Sequence, residues 1–203
     1  MEIQVKDVFC EMCNIGIGSS MTALSQIIGH DIGYTVPDVD GIENYDGMKH
    51  WYLKADEYVA GVSLPFDGDI EGMILIIYHV SMVREILEPV FDKPAGLKEI
   101  SSEMLDMVRE TGNLMASSYL SALSVYTMWH LNAGKSAVSM DMAGSMIGEA
   151  AGIVSSSDQN VFCIGSRFGL KELEKESCML LMVKEHSMPE FIETLGGEQC
   201  AGL

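Results

Sequence analysis

The sequence predicts an α/β (α+β) sandwich made by internal duplication: a mainly antiparallel sheet carrying two long helices, the halves related by pseudo-twofold symmetry. Three observations lead there. A polar triplet, Asp7, Glu11 and Asn14, returns as Asp106, Glu110 and Asn113, each member 99 positions on. The tail that follows, Ser19-Ser-Met-Thr-Ala-Leu-Ser25, returns in the same register as Ser118-Tyr-Leu-Ser-Ala-Leu-Ser124. A later set, Met73, Leu75, Ser81, Met82 and Ile86, matches Met179, Leu181, Ser187, Met188 and Ile192 at an offset of 106. Only a net loop insertion separates the two offsets, and loop closure becomes costlier only slowly with length. The chain of 203 residues therefore reads as a single domain of two repeats, about 1–95 and 96–203.

Taken in order, the first helix is expected from Val5 to Ile28, with Ile15, Met21, Leu24 and Ile28 on its apolar face and Gly29-His30 as its stop. Gly33-Tyr-Thr-Val-Pro37 reads as a short edge strand, since Pro37 has no N–H for a ladder. Asp38 to Lys49 reads as a polar connection. Trp51 to Phe66 has strand composition, Asp67-Gly-Asp69 is a turn signal, and Ile70 to Val80 is the antiparallel neighbour. Within it, Met73-Ile-Leu-Ile-Ile77 suits a buried strand and is far too short to cross a bilayer. Ser81 to Leu87 has helical spacing with Ser81 as N-cap and Pro89 as terminator, and Asp92-Lys-Pro-Ala-Gly96 marks the boundary between halves. The second long helix begins between Lys98 and Ser102 and reaches Trp129. Strands at Lys135–Met142, Asn160–Phe168 and Glu176–Glu185 follow, with a partly helical Gly144–Ser157 between the first two and a final helix from Ser187.

Composition narrows the function. Apolar residues make up 48% of the chain, which suits a packed core, and the formal charge of −18 repels nucleic-acid phosphates and anionic membranes while favouring partners with basic surfaces. No charged segment leads into an apolar one at the N-terminus, so a cytoplasmic protein without membrane insertion is expected. The five cysteines form no regular framework and read as reduced thiols. Cys10 and Cys13 make a C-x-x-C, but it straddles Glu11 inside a helical pattern and lacks a second ligand pair, so both read as small residues filling helix positions. The histidines, His30, His50, His79, His130 and His186, lack triad or metal-ligand spacing, and Gly134-Lys-Ser lacks a P-loop. The chain is expected to carry no metal or cofactor of its own.

The triplet carries the functional signal. Side chains at i, i+4 and i+7 share one helix face, and a single such triplet ordinarily means a solvated surface. Here three polar identities agree between copies while Val8, Phe9 and Cys10 differ from Met107, Val108 and Arg109. A duplicated stripe of this kind, running through Asn14-Ile-Gly16 or Gly112-Asn-Leu114 to Ala-Leu-Ser, resembles the CheC family of chemotaxis phosphatases, related to CheX and FliY. The resemblance spans essentially the whole chain. It implies hydrolysis of the aspartyl phosphate on a CheY-type response regulator, with Glu11/Asn14 and Glu110/Asn113 as two centres. Each Asn would orient the attacking water, each Glu would bind a lysine of the regulator, and Mg²⁺ would arrive on the regulator. Asp7 and Asp106 would support docking, and Gly16 and Gly18 would let the regulator's backbone approach. The deamidase CheD is a further implied partner. The competing readings are a non-catalytic adaptor that binds CheD or phosphorylated CheY, and a component associated with the flagellar switch. Two positions depart from equivalence: Cys13 stands against Gly112, and Gly16 against Met115.

Overall fold

The computed structural model describes residues 3–35, 38–42, 53–87, 100–155, 161–171, 173, 175–184 and 187. In chain order these form α1 (Ile3–Ile28), β1 (Gly33–Tyr34), β2 (Asp38–Ile42), β3 (Tyr58–Gly68), β4 (Gly72–Tyr78) and α2 (Val80–Leu87). The second half supplies α3 (Ser102–Thr127), β5 (Leu131–Ala133), β6 (Ala137–Met142), α4 (Ala143–Val154), β7 (Val161–Gly169) and β8 (Ser177–Lys184).

One antiparallel sheet runs β1-β7-β8-β4-β3-β5, with β2 also beside β7 and β6 also beside β3. Exchanging β1 with β5, β2 with β6, β3 with β7 and β4 with β8 returns the same order read backwards. The central register obeys the same exchange. Shifting by 106 turns the rung Gly72↔Val183 into Ile77↔Cys178, and Met73↔Met182 into Ile76↔Met179. An axis between β4 and β8 thus relates the halves, which is the arrangement that doubling of one unit produces.

Every residue of β4 is buried, because both faces of the sheet are covered. Alternation sends Ile74, Ile76 and Tyr78 into a core shared with α1, α2 and α3, and Met73, Leu75 and Ile77 into a second core beneath α4. β8 divides the same way, Met179, Leu181 and Val183 to the first core and Cys178, Leu180 and Met182 to the second. A continuous apolar run is what a strand buried on both sides requires.

Several expectations change. Ile15 is not on the apolar face of α1 but is 38% exposed, whereas Met21, Leu24 and Ile28 are buried. Asp38 to Ile42, read as connection, pairs with β7: its aspartates and glycine disfavour strand locally, and the open flank of β7 overrides them. β3 starts at Tyr58 rather than Trp51, since a turn closed by Glu57 N–H to Lys54 O precedes it. The cap of α2 is not Ser81. The ring Nδ1 of His79 accepts the Ser81 N–H at 3.2 Å, putting an imidazole where a hydroxyl was expected. The short β5 was missed, β6 begins after Lys135, and Ala143–Val154 is fully helical. Ser101 caps α3 by accepting from Met104 N, and Met128 in the left-handed region ends it before Trp129. The roles assigned to Pro37, Pro89, Asp92–Gly96 and the helix following Ser187 lie outside the described residues.

The two long helices cross in close contact, and there the halves interlock by size. A Cβ on Gly16 would lie 2.8 Å from the Tyr119 ring, and Ser20 Oγ donates to Met115 O at 2.8 Å. Position 16 corresponds to 115, and 20 to 119, so these are one contact seen from either side of the axis. On one side glycine meets the tyrosine ring, and on the other the serine hydroxyl meets the methionine backbone carbonyl. Gly112 is equally constrained: its Cβ would lie 2.7 Å from Val62 of β3, a stiff β-branched side chain. Overpacking of this kind costs about 1–3 kcal/mol, more than the roughly 1 kcal/mol that alanine gains over glycine in a helix. Gly16→Ala and Gly112→Ala should therefore each lower the urea midpoint of unfolding, where a surface glycine would show a rise.

Candidate functional site

From residue 10 on, the buried positions of α1 are 12, 13, 16, 17, 20, 21, 24 and 28, and from residue 109 on those of α3 are 111, 112, 115, 116, 119, 120, 123 and 127. These are the same positions shifted by 99. The burial that holds each helix against the sheet and its twin therefore turns the same strip outward on both. That strip carries Glu11, Asn14 and Ile15 on α1, and Glu110, Asn113 and Leu114 on α3.

Both glutamates are exposed, both asparagines are half-buried, and the aliphatic residue after each asparagine is exposed, 38% for Ile15 and 47% for Leu114. The structure thus keeps Glu and Asn of each copy together, one turn apart on an outward ridge. Asp106 is exposed one turn before Glu110, and Asp7 lies in the matching stretch of α1. Among the described residues neither amide is held by a side-chain hydrogen bond. Asn14 Oδ1 is buried without a partner, so the residue's exposure belongs to its other atoms. Leaving such an atom unpaired costs about 1–3 kcal/mol, and a native protein that tolerates one calls for a reason.

The glycines expected to admit a visitor have other work. Gly16 is buried against Tyr119, and Gly18 packs beside β1, its Cβ position 3.1 Å from the Tyr34 hydroxyl. Internal packing accounts for Gly16, while Gly18 stays half-buried beside the outward strip. Cys13 is also core: burial pushes its thiol up to about 12, partly offset by a hydrogen bond with Tyr119. That leaves it an inert, space-filling residue.

The ridges differ in charge at one position whose importance the sequence did not announce. Arg109 lies between the acids of the second copy, its guanidinium 3.3 Å from Asp106 Oδ1 through Nε and 2.8 Å from Glu110 Oε1 through an Nη. The equivalent position on α1 is Cys10. Among the described residues no cation pairs with Glu11. An Arg three residues after one acid and next to another was visible in the sequence, and only its geometry shows that it spans both. No group of His, Cys, Asp and Glu suited to a metal ion occurs among the described residues, and no helix among them is long and apolar enough to cross a membrane.

No family model matches the chain. It is 33% identical over 149 residues to the CheY-P phosphatase CheC of Bacillus subtilis, a match covering 70% of this chain and 69% of that protein. Among solved structures, Thermotoga maritima FliY superposes with a TM-score of 0.69 over 98% of both chains at 16% identity. The CheX of a CheX–CheY–BeF3–Mg complex from Borrelia burgdorferi superposes with a TM-score of 0.53 over 84% of this chain and 95% of that one at 12% identity. The two structural matches are likenesses of fold.

The orphaned carbonyl yields a test of whether Asn14 is there for stability. Replacing it with alanine removes an unpaired buried polar atom and gains helix propensity. Asn14→Ala should leave the urea midpoint unchanged or raise it. A loss of more than about 1 kcal/mol, the usual worth of a hydrogen bond, would mark the amide as a structural anchor.

Proposed function

Because the chain belongs to the CheC family, we propose that it hydrolyses the aspartyl phosphate of a CheY-type response regulator, with Glu11/Asn14 and Glu110/Asn113 as its two centres. The observation that carries this reading is the repeated ridge: a carboxylate in solvent and a half-buried amide one turn on, presented twice at equivalent positions.

The chemistry suits these groups. An acyl phosphate is already reactive, and phosphoryl transfer passes through a loose transition state, so the catalyst mainly places a water in line with the breaking O–P bond. An amide does not titrate, so Asn113, and Asn14 through the part of its amide left outside when its Oδ1 is buried, can hold that water over a wide pH range. The glutamate supplies a charge-assisted contact to a lysine beside the phosphoryl group and fixes the register of docking. The Mg²⁺ belongs to the regulator in this reading, and Asp7 and Asp106 add negative charge to the docking ridge. The net charge of −18 draws a lysine-bearing surface inward. CheD enters as a second partner, inferred from the family alone.

The test is phosphate release from acetyl-phosphate-loaded regulator, with and without CheD. Unmodified protein should accelerate it, and Asn14→Ala and Asn113→Ala should each remove part of the gain. The double variant should still bind the regulator yet lose on the order of 100-fold in acceleration, the scale of a misplaced nucleophile. Decay left unchanged by the unmodified protein in both conditions would establish the adaptor reading instead.

A further inference from the structure

Around Glu11 and Glu110 the described strip positions 10, 11, 14 and 15 and their counterparts agree in charge except where Arg109 stands against Cys10, and that exception bears on the residue that receives the partner. Resting on the docking role proposed above, we infer that Arg109 is a positioning residue that occupies the second ridge from within, competing with the regulator's lysine for Glu110 and leaving Glu11 the better receptor.

The geometry supports competition rather than reinforcement. The guanidinium spans Asp106 and Glu110 at 3.3 and 2.8 Å, and its side chain is only 29% exposed while the carboxylates are 66% and 64% exposed. The stem of Arg109 is therefore packed down on the helix and its planar head is held between two acids. A lysine arriving at Glu110 finds one carboxylate oxygen already engaged and half the local negative charge cancelled. On α1 the thiol of Cys10 is too short to reach Glu11 in this way and carries no positive charge. Cys13 and Gly112, and Gly16 and Met115, also differ between the copies, but all four are buried and do not enter the docking strip.

Size sets what can be seen. Exposed ion pairs are worth at most about 1 kcal/mol, which corresponds to roughly fivefold in affinity. The effect should appear in the KM of the second centre and leave its kcat unchanged, because the hydrogen bonds and ion pairs of Arg109 among the described residues go to Asp106 and Glu110 and not to Asn113.

The experiment isolates one ridge at a time in the full chain. With Glu11→Lys closing the first ridge, Arg109→Cys should tighten binding of beryllofluoride-activated regulator about threefold and lower KM equally, while Arg109→Lys keeps part of the block. With Glu110→Lys closing the second, Cys10→Arg should weaken the first by a similar factor. Affinity that is unchanged or weaker on Arg109→Cys overturns the inference, weaker binding meaning that Arg109 itself contacts the regulator. Binding without turnover in the unmodified protein defeats only the hydrolytic reading, since the affinity comparison still stands. No binding by the unmodified protein defeats both. Urea midpoints of Arg109→Cys and Cys10→Arg that match the parent's exclude a general loss of structure, as expected for surface changes.

Discussion

The crossing of α1 and α3 is the contact on which the rest depends. Two helices approach closely where a small residue admits its neighbour, and here Gly16 admits the Tyr119 ring while Ser20 reaches the Met115 backbone carbonyl. That interlock fixes the rotation of each helix about its own axis. Once the rotation is set, Glu11 and Asn14 have no choice but to face outward, and so have Glu110 and Asn113. A helix turned by one residue, about 100°, would drive a glutamate toward the core, where an unpaired carboxylate is far too costly to keep. Function at the surface is thus specified by packing beneath it.

The same contact shows how the two copies could diverge without losing symmetry. Position 16 is glycine where 115 is methionine, and 119 is tyrosine where 20 is serine, so the two sides of the crossing are filled differently. Gly112 is fixed by the sheet in the same way, since the Val62 side chain leaves no room for a Cβ there. What looks in the sequence like erosion of the repeat is compensation in space.

Much of this was legible beforehand because periodicity and repetition survive in one dimension. The offset of 99 survives as matched burial along both long helices, and the run Met73–Ile77 behaves as a strand covered on both faces. The misreadings have a common cause, which is that partners far along the chain decide the outcome. Asp38–Ile42 is a strand only because β7 offers a free flank, His79 caps α2 because Glu57 and Ser81 hold its ring at 3.3 and 2.7 Å, and the glycines of α1 answer to Tyr119 and Tyr34. At the site the residue types were readable, but the span of Arg109 across two acids was not, since sequence gives spacing and not side-chain direction.

The arrangement also separates two electrostatic roles by range. Asn14 and Asn113 each lie four residues before the centre of the crossing, about 6 Å along their own axes, and packed helix axes are 8–10 Å apart. The two ridges are therefore on the order of 15 Å from one another, beyond a Debye length of about 8 Å at physiological salt. A cation held at one ridge is screened from the other, so Arg109 acts on Glu110 and leaves Glu11 untouched. The excess negative charge of the whole chain works the opposite way: it raises the encounter rate of a basic partner with both ridges alike and cannot discriminate between them. Attraction is a property of the molecule, and preference between its two faces has to be built locally, by single residues that differ where the repeats otherwise agree.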